Sequence, residues 1–172
     1  TRMKVNTLTQ NSQEIVKMAE GGMTITTFSN LIAPSRNAYA SPENINRDKE
    51  RLSKFIRFKP EIKLKYVYYY DTNVVLDRHF PNHTLREKMA EVAEVWKLDT
   101  AKVRPYEEVV VQYPELAGEA KNFVRLIERE SGEKTFLRIY DDMIVHPDEK
   151  EIAAAIKRIV MKLPKVGFVT GH

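Results

Sequence analysis

Apolar residues recur in this chain at two spacings, roughly 3.6 and 2.0, and the change from one to the other divides it into helices and strands. Residues 10–20 place Ile15, Val16 and Ala19 on one side of a helix, with Thr9 as N-cap and Gly21-Gly22 as its stop. Residues 23–28 are β-branched and predict a strand, and residues 30–40, with Pro34, predict a loop. Ser41-Pro42-Glu43 supplies an N-cap, a proline in the first turn and an early acid. Ile45, Leu52, Phe55 and Ile56 then follow on one helical face until Pro60. Residues 62–70 alternate and then become continuously aromatic, which predicts an interior strand covered on both faces at its end. Strand, helix and strand make a βαβ unit, right-handed by the usual rule.

In the second half, Thr84-x-x-Glu87 is a capping box, with Leu85, Met89, Val92, Ala93 and Trp96 behind it, and predicts a helix running through Leu98. Pro105-Tyr106-Glu107-Glu108 predicts a short helix despite the strand propensity of Val109-Val110-Val111. Residues 122–128 and 134–141 both alternate around Ser131-Gly132, which favours a hairpin over helix then strand. The pattern sets Phe123, Arg125 and Ile127 with Phe136, Arg138 and Tyr140 on one face, and Val124 and Leu126 with Leu137 and Ile139 on the other. Pro147 opens a last helix with Ile152, Ala155, Ile156, Ile159, Val160 and Leu163 as its buried stripe, and Pro164 closes it.

This order is that of the thioredoxin fold. The expected class is α/β: a thioredoxin-like three-layer αβα domain with a mixed sheet, over residues 1–163. Lys165-Val166-Gly167-Phe168-Val169-Thr170-Gly171-His172 reads as a buried strand entering a tight loop at the carboxyl edge of a sheet. Residues 164–172 are therefore expected to start a second α/β domain, truncated after its first strand.

Composition narrows the function. The 172 residues are 42% hydrophobic and 30% charged, and the absence of cysteine excludes disulfides, thiolate metal sites and thiol redox chemistry. Mean hydropathy is −0.46, and no apolar run approaches the roughly 18 residues of a membrane span. Thr1 to Val5 lack a signal-peptide core, although the soluble part of an anchored protein would look the same. The net charge of +4 permits anionic partners without demanding one. Arg47, Arg51, Lys54 and Arg57 on the helix after Pro42 form a candidate partner or anion surface, whose plainer reading is a solvated face with i,i+4 ion pairs.

Catalytic signals are thinner. His79 and His83, near Asp71 and Asp77, have a metal-like spacing, but Pro81 between them breaks the helical turn that would align them; a solvated loop is the expected state. Asp141-Asp142 point to opposite faces of an extended chain and so do not converge. Tyr66, Tyr68, Tyr69 and Tyr70 are expected in the core rather than as a stacking platform. No phosphate loop, dinucleotide fingerprint or Gly-x-Ser-x-Gly elbow occurs.

Several stretches together resemble a known group. Asn6-Thr7-Leu8-Thr9 with Ser12, Ile25-Thr26-Thr27-Phe28, Lys65-Tyr66-Val67-Tyr68-Tyr69-Tyr70-Asp71, Phe136-Leu137-Arg138-Ile139-Tyr140-Asp141-Asp142-Met143 and residues 165–172 look like the extracytoplasmic region of gliding-motility-type ABC transporter auxiliary proteins of Bacteroidetes. The resemblance implies a periplasmic domain of an inner-membrane protein, held by membrane segments outside this sequence and working with ABC permease and ATPase subunits. It carries over no catalytic residue, and no nucleic-acid partner, cofactor or metal is expected. It makes the domain begun at residue 164 Rossmann-like. The leading expectation is a non-enzymatic partner- or ligand-binding module of an ABC-2-type transport system. The alternative is a hydrolytic or carbohydrate-active enzyme with its site at the domain junction, using Thr170, Gly171 and His172.

Overall fold

The structure, a computed structural model, describes residues 7–32, 40–71, 78, 80–121, 123–138 and 147–161. Helix α1 (Gln10–Met18) starts where Thr9 Oγ1 accepts from Ser12 N at 3.3 Å. Strand β1 (Met23–Asn30) is followed by helix α2 (Pro42–Phe58), capped by Ser41, and strand β2 (Ile62–Tyr70). Helix α3 (Leu85–Val95) opens with the reciprocal capping box of Thr84 and Glu87. A 3-10 turn (Thr100–Lys102) leads to strand β3 (Val103–Pro105), helix α4 (Tyr106–Gln112) and a second 3-10 turn (Pro114–Gly118). The hairpin of β4 (Phe123–Arg129) and β5 (Lys134–Arg138) precedes helix α5 (Glu149–Val160), which Asp148 and Glu151 cap reciprocally.

Among the described residues the strands form one mixed sheet in the order β3-β2-β1-β4-β5. β1 is parallel to β2 and antiparallel to β4, β2 is parallel to β3, and β4 is antiparallel to β5. The α/β class read from the sequence is the observed one. On one face Met23, Ile25, Ile62, Ile127 and Leu137 meet Ile15 and Val16 of α1, Leu52 and Phe55 of α2, and Ile152, Ile156 and Ile159 of α5. On the other, Phe28, Tyr69, Val124 and Leu126 pack with Val109 of α4 and Leu116. A third cluster joins Leu31, Ile32 and Tyr70 to Met89, Val92 and Ala93 of α3. Each Val, Leu, Ile, Phe or Met side chain among these contributes roughly 1.5–3 kcal/mol when fully buried.

Four details depart from the sequence reading. The hairpin is present, but its register is slipped by one: Arg125 lies opposite Leu137 and Leu126 opposite Phe136. Phe136 and Arg138 therefore share a face with Val124 and Leu126, not with Arg125. The cause is in the turn, where Gly132 N donates to Arg129 O at 2.9 Å and Gly132 takes a φ of 104°, so one bulged residue shifts the pairing. Helix α3 ends at Val95 rather than running through Leu98. Lys97, at φ 54°, turns the chain so that Lys97 N donates to Glu94 O and Leu98 N to Ala93 O, a Schellman stop that folds Leu98 back onto the core. Strand β3 went unanticipated because it is three residues long and ends in proline, which a sheet edge tolerates. Asn30 belongs to β1 rather than to the loop, and Leu31 and Ile32 beyond it are fully buried. Ile139, Tyr140, Leu163 and residues 164–172 lie outside the described residues.

Candidate functional site

Helix α2 turns Ile45, Asp48, Leu52 and Phe55 inward, an i, i+3, i+7, i+10 series with a carboxylate at an apolar position. The opposite side carries the cations singled out from the sequence. Arg47, Arg51 and Lys54 fall one and two turns apart on one stripe, with Arg57 one turn beyond Lys54. Arg47, Arg51 and Arg57 are exposed and Lys54 is half-buried. Arg47 Nη2 lies 2.6 Å from Glu43 Oε1 in an exposed i,i+4 pair, the plainer arrangement that the spacing also predicted.

Asp48 is held by two strands. Thr27 of β1 lies beside Tyr66 of β2 in the parallel register and beside Arg125 of β4 in the antiparallel one, so all three sit in one row across the sheet beneath α2. Arg125 Nη2 donates to Asp48 Oδ1, and the Tyr66 hydroxyl donates to Asp48 Oδ2 at 2.9 Å. Arg125 is 1% exposed and stacks over Phe123 with its guanidinium carbon 4.7 Å from the ring centroid. Burial pulls the guanidinium pKa down, and the Asp48 charge and hydrogen bond oppose that shift. Burial, then the Asp48 charge and hydrogen bond, push the Tyr66 phenol well above its ordinary value, so it stays a donor. Lys49, an exposed residue of α2, reaches over the same ring with Nζ 5.5 Å from its centroid.

A second polar group sits past the carboxyl ends of β1 and β2. Asn30 Nδ2 donates to Lys121 O at 2.8 Å and Asn30 Oδ1 accepts from Ile32 N, which ties the approach to β4 to the end of β1. Lys121 Nζ lies 2.5 Å from Asp71 Oδ2 and 4.4 Å from the Tyr106 ring centroid. The hydrogen bond to Asp71 raises the Lys121 pKa, and burial raises that of Tyr69, whose ring is 5.5 Å from Tyr106. At the other end of the sheet, Thr24, Glu61, Lys63, Glu128 and Glu130 line a cleft of about 630 Å³.

Neither polar group was assembled by sequence reasoning. A lone carboxylate at an apolar helix position, followed by an arginine on an alternating strand, was the available signal for Asp48 and Arg125. His83 is half-buried against Phe80, their ring centroids 5.4 Å apart, and His79 lies outside the described residues. Among the described residues no three His, Cys, Asp or Glu side chains converge as metal ligands. Asp141, Asp142, Thr170, Gly171 and His172 fall outside the described residues. Among the described residues no helix is long and apolar enough to cross a membrane. No family model, curated protein or solved structure matches the chain.

Proposed function

We propose that this chain is a non-enzymatic, extracytoplasmic partner-binding module of an ABC-2-type transport system, built on a thioredoxin-like core. The strand order β2-β1-β4-β5, with β1 and β2 parallel and β4 reversed, supports the thioredoxin-like assignment. The sequence resemblance supports the transporter context.

The observation that carries the binding role is the burial of Asp48. With that carboxylate turned inward onto Arg125, the solvent-accessible charges of α2 itself are Arg47, Lys49, Arg51, Lys54 and Arg57 with Glu43 and Glu50. The helix is therefore more cationic toward solvent than its sequence composition, and it suits an acidic surface on a permease subunit. Tyr66 and Arg125 both bond to Asp48 beneath α2, and Tyr69 is buried in the core.

The test is co-purification of the complete membrane-anchored protein with its permease and ATPase subunits. The triple variant R47E/R51E/K54E is expected to cut recovery of the permease tenfold or more at low salt, with an unchanged circular dichroism spectrum. Undiminished recovery would remove α2 as the partner face. A wild-type preparation without permease and ATPase would remove the transporter reading itself.

A further inference from the structure

Among the described residues strand β5 is an edge of the sheet, and its outward backbone groups can be identified. Arg129 N donates to Glu133 O at 2.8 Å, which makes that opposed pair a hydrogen-bonded one. Pairing alternates along an antiparallel ladder, so Thr135 and Leu137 bond to Ile127 and Arg125, and the backbone N–H and C=O of Lys134 and Phe136 point away from β4. An independent contact agrees: Arg158 Nη2, from α5, donates to Phe136 O at 3.0 Å, while Arg158 Nε donates to Thr135 Oγ1 at 3.1 Å.

Between this edge and α5 runs a groove of about 460 Å³ lined by β5 from Thr135 to Arg138 and by Glu151, Ala154 and Arg158. The three helix residues lie on one stripe, with the small exposed Ala154 leaving space at its centre. Glu151 is engaged with Asp148 N in the helix cap. Among the described residues Arg158 has no carboxylate partner; its guanidinium rests on a carbonyl and a hydroxyl. An edge with no neighbouring strand among the described residues invites pairing, and a cation laid on its carbonyl is one way of discouraging indiscriminate pairing.

We propose that the β5 edge beside α5 is a docking site for an extended acidic segment of a partner protein. The segment adds to the sheet as a sixth strand through the Phe136 N–H and C=O, and its carboxylate takes over Arg158, which leaves the carbonyl free to accept a backbone N–H. Charge chooses this occupant over a second copy of the chain. Antiparallel self-pairing centred on Phe136 would set Lys134 against Arg138 of the other copy. The site is separate from the cationic side of α2 and does not depend on the transporter reading.

Two blocked pentapeptides, acetyl-Val-Thr-Val-Glu-Val-amide and its Glu-to-Lys counterpart, provide the probe, titrated into the 172-residue chain and followed by amide chemical shifts. The acidic peptide is expected to shift the amides of residues 134–138 and 154–158 and to slow exchange of the Phe136 amide. Arg158→Glu should weaken the acidic peptide at least tenfold and strengthen the basic one. Phe136→Pro should abolish binding while sparing the ladder to β4, whose bonds Thr135 and Leu137 make. Equal binding of both peptides, shifts confined to α2, or no shift at millimolar peptide would each overturn the proposal, and the Arg158 arm stands even if the proline variant fails to fold.

Discussion

Arg125 and Asp48, 77 positions apart in sequence, meet as a buried ion pair between the central region of the sheet and helix α2. The pair is completed by Tyr66 from the neighbouring strand, so one carboxylate ties α2 to β4 and β2. Buried ion pairs add little net stability, because desolvation offsets the attraction, yet removing one partner strands the other charge in the core. Their value here is positional. The pair fixes which side of α2 faces the sheet and so which cations face outward.

That asymmetry is measurable by a mutant cycle. Asp48→Ala should destabilise the fold by about 3–5 kcal/mol, since Arg125 is left without its counter-charge. Arg125→Met in the same background should restore most of that loss, and Asp48→Leu with Arg125→Met should come within about 1 kcal/mol of wild type. Urea denaturation reads the three variants against wild type. If Asp48→Ala alone costs less than about 1 kcal/mol, the pair does not hold the helix as described.

The phenols set an alkaline limit. Tyr66 and Tyr69 both have pKa values raised above the ordinary 10.0 in the folded state, principally by burial. A raised folded pKa stabilises below the unfolded value and is lost as pH climbs past it, because the unfolded chain then releases protons that the folded one retains. Stability should hold steady approaching pH 10 and fall above it. Tyr66→Phe should flatten that fall. It should also cost about 1.5–3 kcal/mol near neutrality for the lost bond to a charged acceptor. An alkaline slope unchanged in Tyr66→Phe and Tyr69→Phe would assign the loss to other groups.

Much of this architecture is legible in the sequence, for identifiable reasons. Thr9, Ser41 and Thr84 announce their helices because a cap is a local event, settled within four residues. The hairpin is visible because both arms alternate. Its register is not, since one left-handed glycine at position 132 decides it and alternation is blind to a slip of one. The Asp48 network is invisible for a different reason: its members lie on three elements, and only the pairing of Thr27 with both Tyr66 and Arg125 brings them into one row. The cations of α2 are legible as a solvated face, but the inward turn of Asp48, which removes an acid from that helix's solvent-facing charge, is not.

The two left-handed glycines among the described residues, Gly21 and Gly132, should respond unequally to alanine. Gly21 has φ 82°, and a Cβ there would sit 2.9 Å from Glu130 Oε2, the atom that accepts from Gly22 N at 2.8 Å. Gly132 has φ 104° with open space around it. Both substitutions pay about 1–2 kcal/mol for the backbone conformation. Gly21→Ala should lose roughly 1 kcal/mol more, because Glu130 must release its bond to move aside. Equal melting temperatures for the two variants would show that Glu130 contributes nothing at that junction.

Arg129 binds the ends of two helices that the sequence does not connect. Its Nη2 donates to Glu20 O at 3.2 Å, just past the end of α1, and its Nη1 donates to Ile159 O at 3.3 Å, in the last turn of α5. The Ile159 carbonyl is in the last turn of α5 and the Glu20 carbonyl two residues past the end of α1, so one guanidinium satisfies two acceptors and places positive charge near the negative ends of two helix dipoles. Glu133 Oε1, 3.9 Å away, adds only a distant ion pair. Arg129→Met should therefore destabilise by about 1–3 kcal/mol. Amide exchange should quicken together in the last turns of α1 and α5, and stay unchanged in α3, which Arg129 does not touch. Arg129→Lys, with a single ammonium in place of the fork, should rescue one helix end and leave the other fast. Exchange that quickens in neither helix, or equally throughout the molecule, would mean that the two termini are held by their packing alone.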